Sequence, residues 1–130
     1  SITSDLAPDV LLAALHRIEA DFSRSRSARW AARTLDLDLL AQGDRLLPDR
    51  QTVARWRALA PDRQATEAPD DLLLPHPRLC ERAFVLVPLR DVAPDWRDPL
   101  SGRSLDDLVA ALDPGEVAAV KPLVFRAFQA

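Results

Sequence analysis

The stretch RWAARTLDLDLLAQGD, residues 29 to 44, contains the pattern that decides the expected fold. From residue 35 leucine alternates with aspartate, so in an extended chain the leucines face one way while Asp36 and Asp38 face the other. This alternation predicts a half-buried strand at residues 34–40. A second apolar run, AFVLVPL, predicts another strand at residues 83–89.

The two aspartates are the strongest chemical signal in the chain. On one strand face the Cα atoms of Asp36 and Asp38 would lie about 6.6 Å apart. Carboxylates that close repel each other unless a cation lies between them, and Mg²⁺ prefers carboxylate oxygens completed by substrate phosphates. A solvated strand face is the alternative interpretation, and the spacing alone leaves both open.

An arginine cluster precedes the aspartates by about a dozen residues or fewer. It consists of Arg24, Arg26, Arg29 and Arg33. Guanidinium groups match phosphate oxygens bidentately, so a basic loop beside a metal site indicates a polyphosphate substrate. Trp30, inside this loop, could be a lid residue that excludes water on closure. The alternatives are a solvated loop and a peripheral packing residue.

Five further residues are candidates for binding. His76 lies between two prolines, where it could donate to a phosphate or could be a turn histidine. Arg82 and Phe84 could present a cation and an aromatic face to a planar ligand, with a core phenylalanine as the alternative. His16 and Glu19 lie one helical turn apart and are by themselves expected to be surface residues.

Apolar spacing and turn residues predict the remaining elements. Helices are expected at residues 8–22 and 49–60, and a polar loop at 61–71. A third helix begins at a capping-box-like Ser104 and ends at Pro114-Gly115.

Composition limits the class of protein and of partner. A chain of 130 residues suffices for one domain, and its net charge of -3 gives no general attraction to nucleic acid or membranes. Cys80 is the one cysteine, which excludes an internal disulfide and suits a reducing, cytoplasmic location. The opening residues do not resemble a signal peptide, and no apolar run is long enough to span a membrane.

Two motifs together resemble a known family. RWAARTLDLDLLAQGD and LPHPRLCERAFVLVPLRDVAPDW, residues 74–96, are similar to the paired signature of 6-hydroxymethyl-7,8-dihydropterin pyrophosphokinases. The resemblance runs from residue 4 to about residue 97. It implies an α+β fold, a ferredoxin-like sandwich with an antiparallel sheet. The family's opening strands are absent, so we expect one N-terminally incomplete domain over residues 1–130, with a family-atypical insert at residues 48–70.

The resemblance also implies roles for the candidate residues. Asp36 and Asp38 would hold two Mg²⁺ ions against the phosphates of ATP. The residues implied for the mobile loop that closes over both substrates are Arg24, Arg26, Trp30 and Arg33. Outside that loop, the resemblance implies that His16 and Glu19 border the nucleotide site. It also implies that His76 and Arg82 contact the ATP phosphates and that Phe84 stacks on the pterin ring.

The implied reaction transfers diphosphate from ATP to 6-hydroxymethyl-7,8-dihydropterin and releases AMP, in folate biosynthesis. Ala31-Ala32 replaces the family's Gly-Pro after the loop tryptophan, and the front section is absent. The alternative is therefore a catalytically impaired relative or fragment that acts as a nucleotide- or protein-binding module. A structural domain that binds no nucleotide is a third hypothesis, and the oligomeric state stays open.

Overall fold

The computed structural model describes residues 1–24 and 35–124, and the chain divides into two compact units, residues 1–77 and 78–130. The described helices are α1 (Pro8–Arg24), α2 (Arg50–Arg57), α3 (Pro61–Thr66), a short 3-10 helix (Leu79–Glu81), α4 (Ala83–Val92), α5 (Leu105–Ala110) and α6 (Pro114–Ala119). None of them is long and apolar enough to cross a membrane.

The first unit is built around apolar residues from two helices and a later loop. Leu11 of α1, Val53 of α2, and Leu73 and Leu74 are all buried. The helices predicted at residues 8–22 and 49–60 are confirmed as α1 and α2, although α2 is shorter than expected. The fully buried Val53 shows that α2 contributes to the core of this unit.

The helix α3 corrects the prediction of a polar loop at residues 61–71. Pro61 occupies the first turn, where a missing backbone N–H costs nothing and the fixed φ suits a helix. Gln64 Nε2 then donates to the carbonyl oxygens of Trp56 and Leu59, each at 3.1 Å, and so ties α3 back to the end of α2. A polar composition concealed this short helix because it buries no residue and so has no apolar stripe.

Residues 35–42 form no helix and pair with no other strand within the described ranges. Their side chains nevertheless alternate as expected: the leucines at 35, 37 and 39 are half-buried, while Asp36 and Asp38 are exposed. The Leu40 carbonyl oxygen accepts a hydrogen bond from the backbone N–H of His76 at 2.7 Å. The prediction of a sheet strand here is thus wrong, but the predicted two-residue alternation of inward and outward side chains is present.

The second unit corrects the other predicted strand. Residues 83–89 lie in α4, which packs against α5 and α6. Ala83 and Leu86, three positions apart, are buried, whereas Phe84 on another face is exposed. An apolar run of seven residues fits a strand or a buried helix equally well. Pro88 lies inside this helix, at a position that predicted the end of a strand.

The antiparallel sheet sandwich predicted from the family resemblance is likewise contradicted. In residues 1–24 and 35–124 the only β-pairing consists of two isolated bridges, Leu47 with Leu74 and Arg97 with Ser104. One candidate strand is helical, and the other has no ladder partner in that part of the chain. The described structure is therefore predominantly helical.

A tight turn around Asp98 leads from α4 to α5. The Asp98 side chain is fully buried, and its carboxylate accepts hydrogen bonds from Ser101 N at 3.0 Å and Ser101 Oγ at 2.6 Å. Gly102 closes the turn with a φ of 74°, where residues with a side chain are strained. The predicted capping box of Ser104 and Asp107 then begins α5. Pro114 does not end that helix but begins α6.

Replacing Asp98 tests the importance of this turn. Asp98→Ala leaves the part-buried backbone and hydroxyl donors of Ser101 without their acceptor, so we expect a loss of about 1–2 kcal/mol in the free energy of unfolding. Urea denaturation measures it, and Asp95→Ala, an exposed aspartate nearby, is the matched control. Equal stability of the two variants would contradict the structural role of Asp98.

Candidate functional site

The acidic pair lies on the exposed side of residues 35–42. Asp36 and Asp38 are both exposed, and Leu37 between them is half-buried. Burial of the leucines therefore determines which way the aspartates face, as the alternation predicts. The two carboxylates remain hydrated, so the arrangement avoids the cost of burying like charges.

A side chain of helix α1 contacts the main chain between the two aspartates. The carboxylate Oε1 of Glu19 accepts a hydrogen bond from the backbone N–H of Leu37. Glu19 is half-buried, and His16, one turn earlier on the same helix, is exposed. The structure thus brings Glu19 to the acidic segment, while the exposed position predicted for His16 is confirmed.

His76 reaches the same segment from the other direction. Its backbone N–H donates to the Leu40 carbonyl oxygen at 2.7 Å, directly after the buried Pro75. The His76 residue is half-buried. Within the first unit, Glu19, His76 and the acidic pair therefore meet along one short stretch of main chain.

The second unit holds the other two described candidates. Arg82 Cζ lies 5.6 Å from the centroid of the Phe84 ring, within range of a cation–π interaction. Phe84 is 65% exposed, so the alternative of a core phenylalanine is wrong. An open cavity of about 450 Å³ adjoins this pair, and α6 provides Glu116 and Ala119 to its wall.

The cavity wall includes residues that sequence reasoning missed. Glu116 and Val120 line it from the region after Pro114, where a helix end was predicted. The available signal was Asp113, whose carboxylate Oδ1 caps α6 by accepting from Gly115 N at 2.8 Å and Glu116 N at 3.1 Å. An aspartate before a proline is a recognised helix start.

Part of the predicted site lies beyond what the structure describes. Arg26, Arg29, Trp30 and Arg33 are outside the described residues, and Arg24 is the last residue of α1. Among the residues that are described, no three His, Cys, Asp or Glu side chains come together as a metal-binding group.

Comparison with known proteins identifies a family and several relatives. Residues 1–94 match the family model of 7,8-dihydro-6-hydroxymethylpterin-pyrophosphokinase. Three bacterial proteins named 2-amino-4-hydroxy-6-hydroxymethyldihydropteridine pyrophosphokinase are similar over most of the chain. The protein of Synechocystis sp. is 39% identical over 117 residues, covering 90% of this chain and 50% of that relative.

The other two relatives are also similar to most of this chain. The Pseudomonas aeruginosa protein is 41% identical over 111 residues, which cover 85% of this chain and 56% of that relative. The Methylorubrum extorquens protein is 33% identical over 121 residues, with coverages of 93% and 63%. The chain thus spans roughly half to two-thirds of the length of these relatives. The family model matches residues 1–94, which is more than half of the chain, so the chain belongs to the 7,8-dihydro-6-hydroxymethylpterin-pyrophosphokinase family.

Proposed function

We propose that the protein containing these residues transfers diphosphate from ATP to 6-hydroxymethyl-7,8-dihydropterin and releases AMP, as a step in folate biosynthesis. The observation that carries the proposal is the exposed pair Asp36 and Asp38, held by Glu19 and His76 inside the region that matches the family. The names of the three relatives support the same substrate and reaction.

The transfer requires positioning and charge neutralisation more than covalent help from the protein. The hydroxymethyl oxygen of the pterin forms a bond to the β-phosphorus of ATP and loses its proton. The bond from that phosphorus to the α,β-bridging oxygen breaks, and AMP leaves with this oxygen. Preorganised cations and hydrogen-bond donors around the phosphates can supply most of the barrier reduction for such a step.

Asp36 and Asp38 fit the Mg²⁺ that the family resemblance implies, with two ions expected. Two exposed carboxylates without a third protein ligand in the described residues are typical of a site completed by phosphate oxygens and water. When bound, Mg²⁺ would neutralise charge on the phosphates and polarise them. Both aspartates would act as its ligands.

The remaining candidates divide by the chemistry of their side chains. The arginines proposed to contact phosphates are Arg24, Arg26, Arg33 and Arg82, and His76 would contact them as a hydrogen-bond donor. His16 and Glu19 would border the nucleotide, and Trp30 would close over it. Phe84 would stack on the pterin through the part of its largely exposed ring that Arg82 does not cover.

The experiment that tests the proposal measures AMP release from Mg-ATP with and without 6-hydroxymethyl-7,8-dihydropterin. AMP that forms only with the pterin supports the pyrophosphokinase. Nucleotide binding without AMP release would instead favour the second candidate, a catalytically impaired relative or fragment that acts as a binding module. Ala31-Ala32 in place of Gly-Pro and the partial coverage of the relatives motivate that candidate.

Replacing either aspartate should remove activity without unfolding the protein. For Asp36→Asn or Asp38→Asn we expect AMP release to fall by about 100-fold or more, the scale seen when one charge-stabilising group is lost. Because both side chains are exposed, the free energy of unfolding should change by less than about 0.5 kcal/mol. Asp44→Asn, an exposed aspartate in the next turn, is the matched control. Full activity in either variant would exclude the metal-ligand role.

Replacing Phe84 should affect the pterin more than the nucleotide. Loss of one stacked ring costs about 1–3 kcal/mol in comparable complexes, so Phe84→Ala should raise the KM for the pterin roughly 5- to 150-fold. The KM for ATP should change little, and Phe84→Trp should retain binding. Val92→Ala removes another exposed apolar side chain of α4 and serves as control. An unchanged pterin KM in Phe84→Ala would argue against stacking.

A further inference from the structure

One hydrogen bond connects α1 to the centre of the acidic motif. Glu19 Oε1 accepts from the backbone N–H of Leu37, eighteen residues later in the chain. Leu37 is the residue between the two aspartates, so this bond acts on the peptide unit that joins Asp36 to Leu37. A carboxylate that accepts from a backbone N–H forms a charge-assisted bond, about twice as strong as a neutral one.

The burial pattern shows what this bond controls. Leu37 is half-buried, and its neighbours Asp36 and Asp38 are exposed. Rotation of the main chain at Leu37 would carry both carboxylates with it, since they are attached on either side. The second anchor, from His76 N to the Leu40 carbonyl oxygen at 2.7 Å, acts after the motif. Glu19 is the described anchor within it.

The same geometry argues against Glu19 as a third metal ligand. Glu19, Asp36 and Asp38 do not form a metal-binding group in the described part of the chain. One Glu19 oxygen is instead directed to the Leu37 N–H. Glu19 therefore contacts the backbone between the two proposed metal ligands, Asp36 and Asp38.

We propose that Glu19 is a positioning residue, whose carboxylate fixes the main chain at Leu37 so that Asp36 and Asp38 present their carboxylates together. The part of this inference that concerns cation binding rests on the proposed function. The hydrogen bond itself requires only an acceptor oxygen, so glutamine can replace glutamate at this position and alanine cannot.

Two variants separate positioning from a direct role of the charge. Glu19→Gln keeps an acceptor oxygen at the same distance along the side chain, and Glu19→Ala removes it. Asp21→Ala removes an exposed carboxylate from the same helix and is the matched control. Thermal unfolding followed by circular dichroism checks that α1 is retained in each variant.

The first readout is hydrogen exchange of the Leu37 amide, measured by NMR on the protein without substrate. We expect the Leu37 amide to be protected from exchange in the unsubstituted protein, in Glu19→Gln and in Asp21→Ala. In Glu19→Ala we expect this amide to exchange at least about 10-fold faster. The second readout is the Kd for Mn²⁺ in the presence of ATP, measured by electron paramagnetic resonance. Loss of a residue that orients metal ligands typically weakens binding about 10- to 100-fold, which we expect for Glu19→Ala alone.

Each outcome decides a different point. An unchanged exchange rate of the Leu37 amide in Glu19→Ala overturns the proposal. Equal weakening of Mn²⁺ binding in Glu19→Gln and Glu19→Ala also overturns it, because the charge of Glu19 rather than its hydrogen bond would then matter. If the exchange and Mn²⁺ results are as expected but no AMP forms with the pterin, the pyrophosphokinase assignment fails and the positioning role of Glu19 stands.

Discussion

The position of the acidic pair depends on how the main chain between residues 35 and 42 is held. Three alternate leucines turn inward, and two hydrogen bonds, from Leu37 N to Glu19 and from His76 N to the Leu40 oxygen, fix the backbone beside them. Apolar burial thus sets the direction of the side chains, and the hydrogen bonds limit rotation of the peptide units. Both carboxylates lie on the exposed side, so the cost of burying like charges is avoided.

Elements whose stabilising contacts are local could be predicted from the sequence. Helices α1 and α2 follow from apolar residues at helical spacing, and α5 follows from the reciprocal cap of Ser104 and Asp107. The strand predicted at residues 83–89 failed because a short apolar run carries no clear period. There the packing of α4 against α5 and α6 decides the conformation.

The same distinction between local and distant contacts applies to the candidate site. The exposure of Asp36 and Asp38 follows from a two-residue pattern within one stretch, and the structure confirms it. The Glu19–Leu37 contact joins residues eighteen positions apart, so no local pattern could indicate it. The sequence left the exposure of Phe84 open, because it depends on α4 being a helix that buries Ala83 and Leu86 instead.

The alternation around the acidic pair also constrains insertions and deletions. One residue added or removed between Leu37 and Leu40 would interrupt the alternation of residues 35–39, and would shift one hydrogen-bonded anchor relative to the other. Substitutions of one leucine by another apolar residue would preserve both relations. Chain length is therefore the stricter requirement in this segment, because a gene variant that alters it by a single codon would separate the two backbone anchors from the positions they now hold.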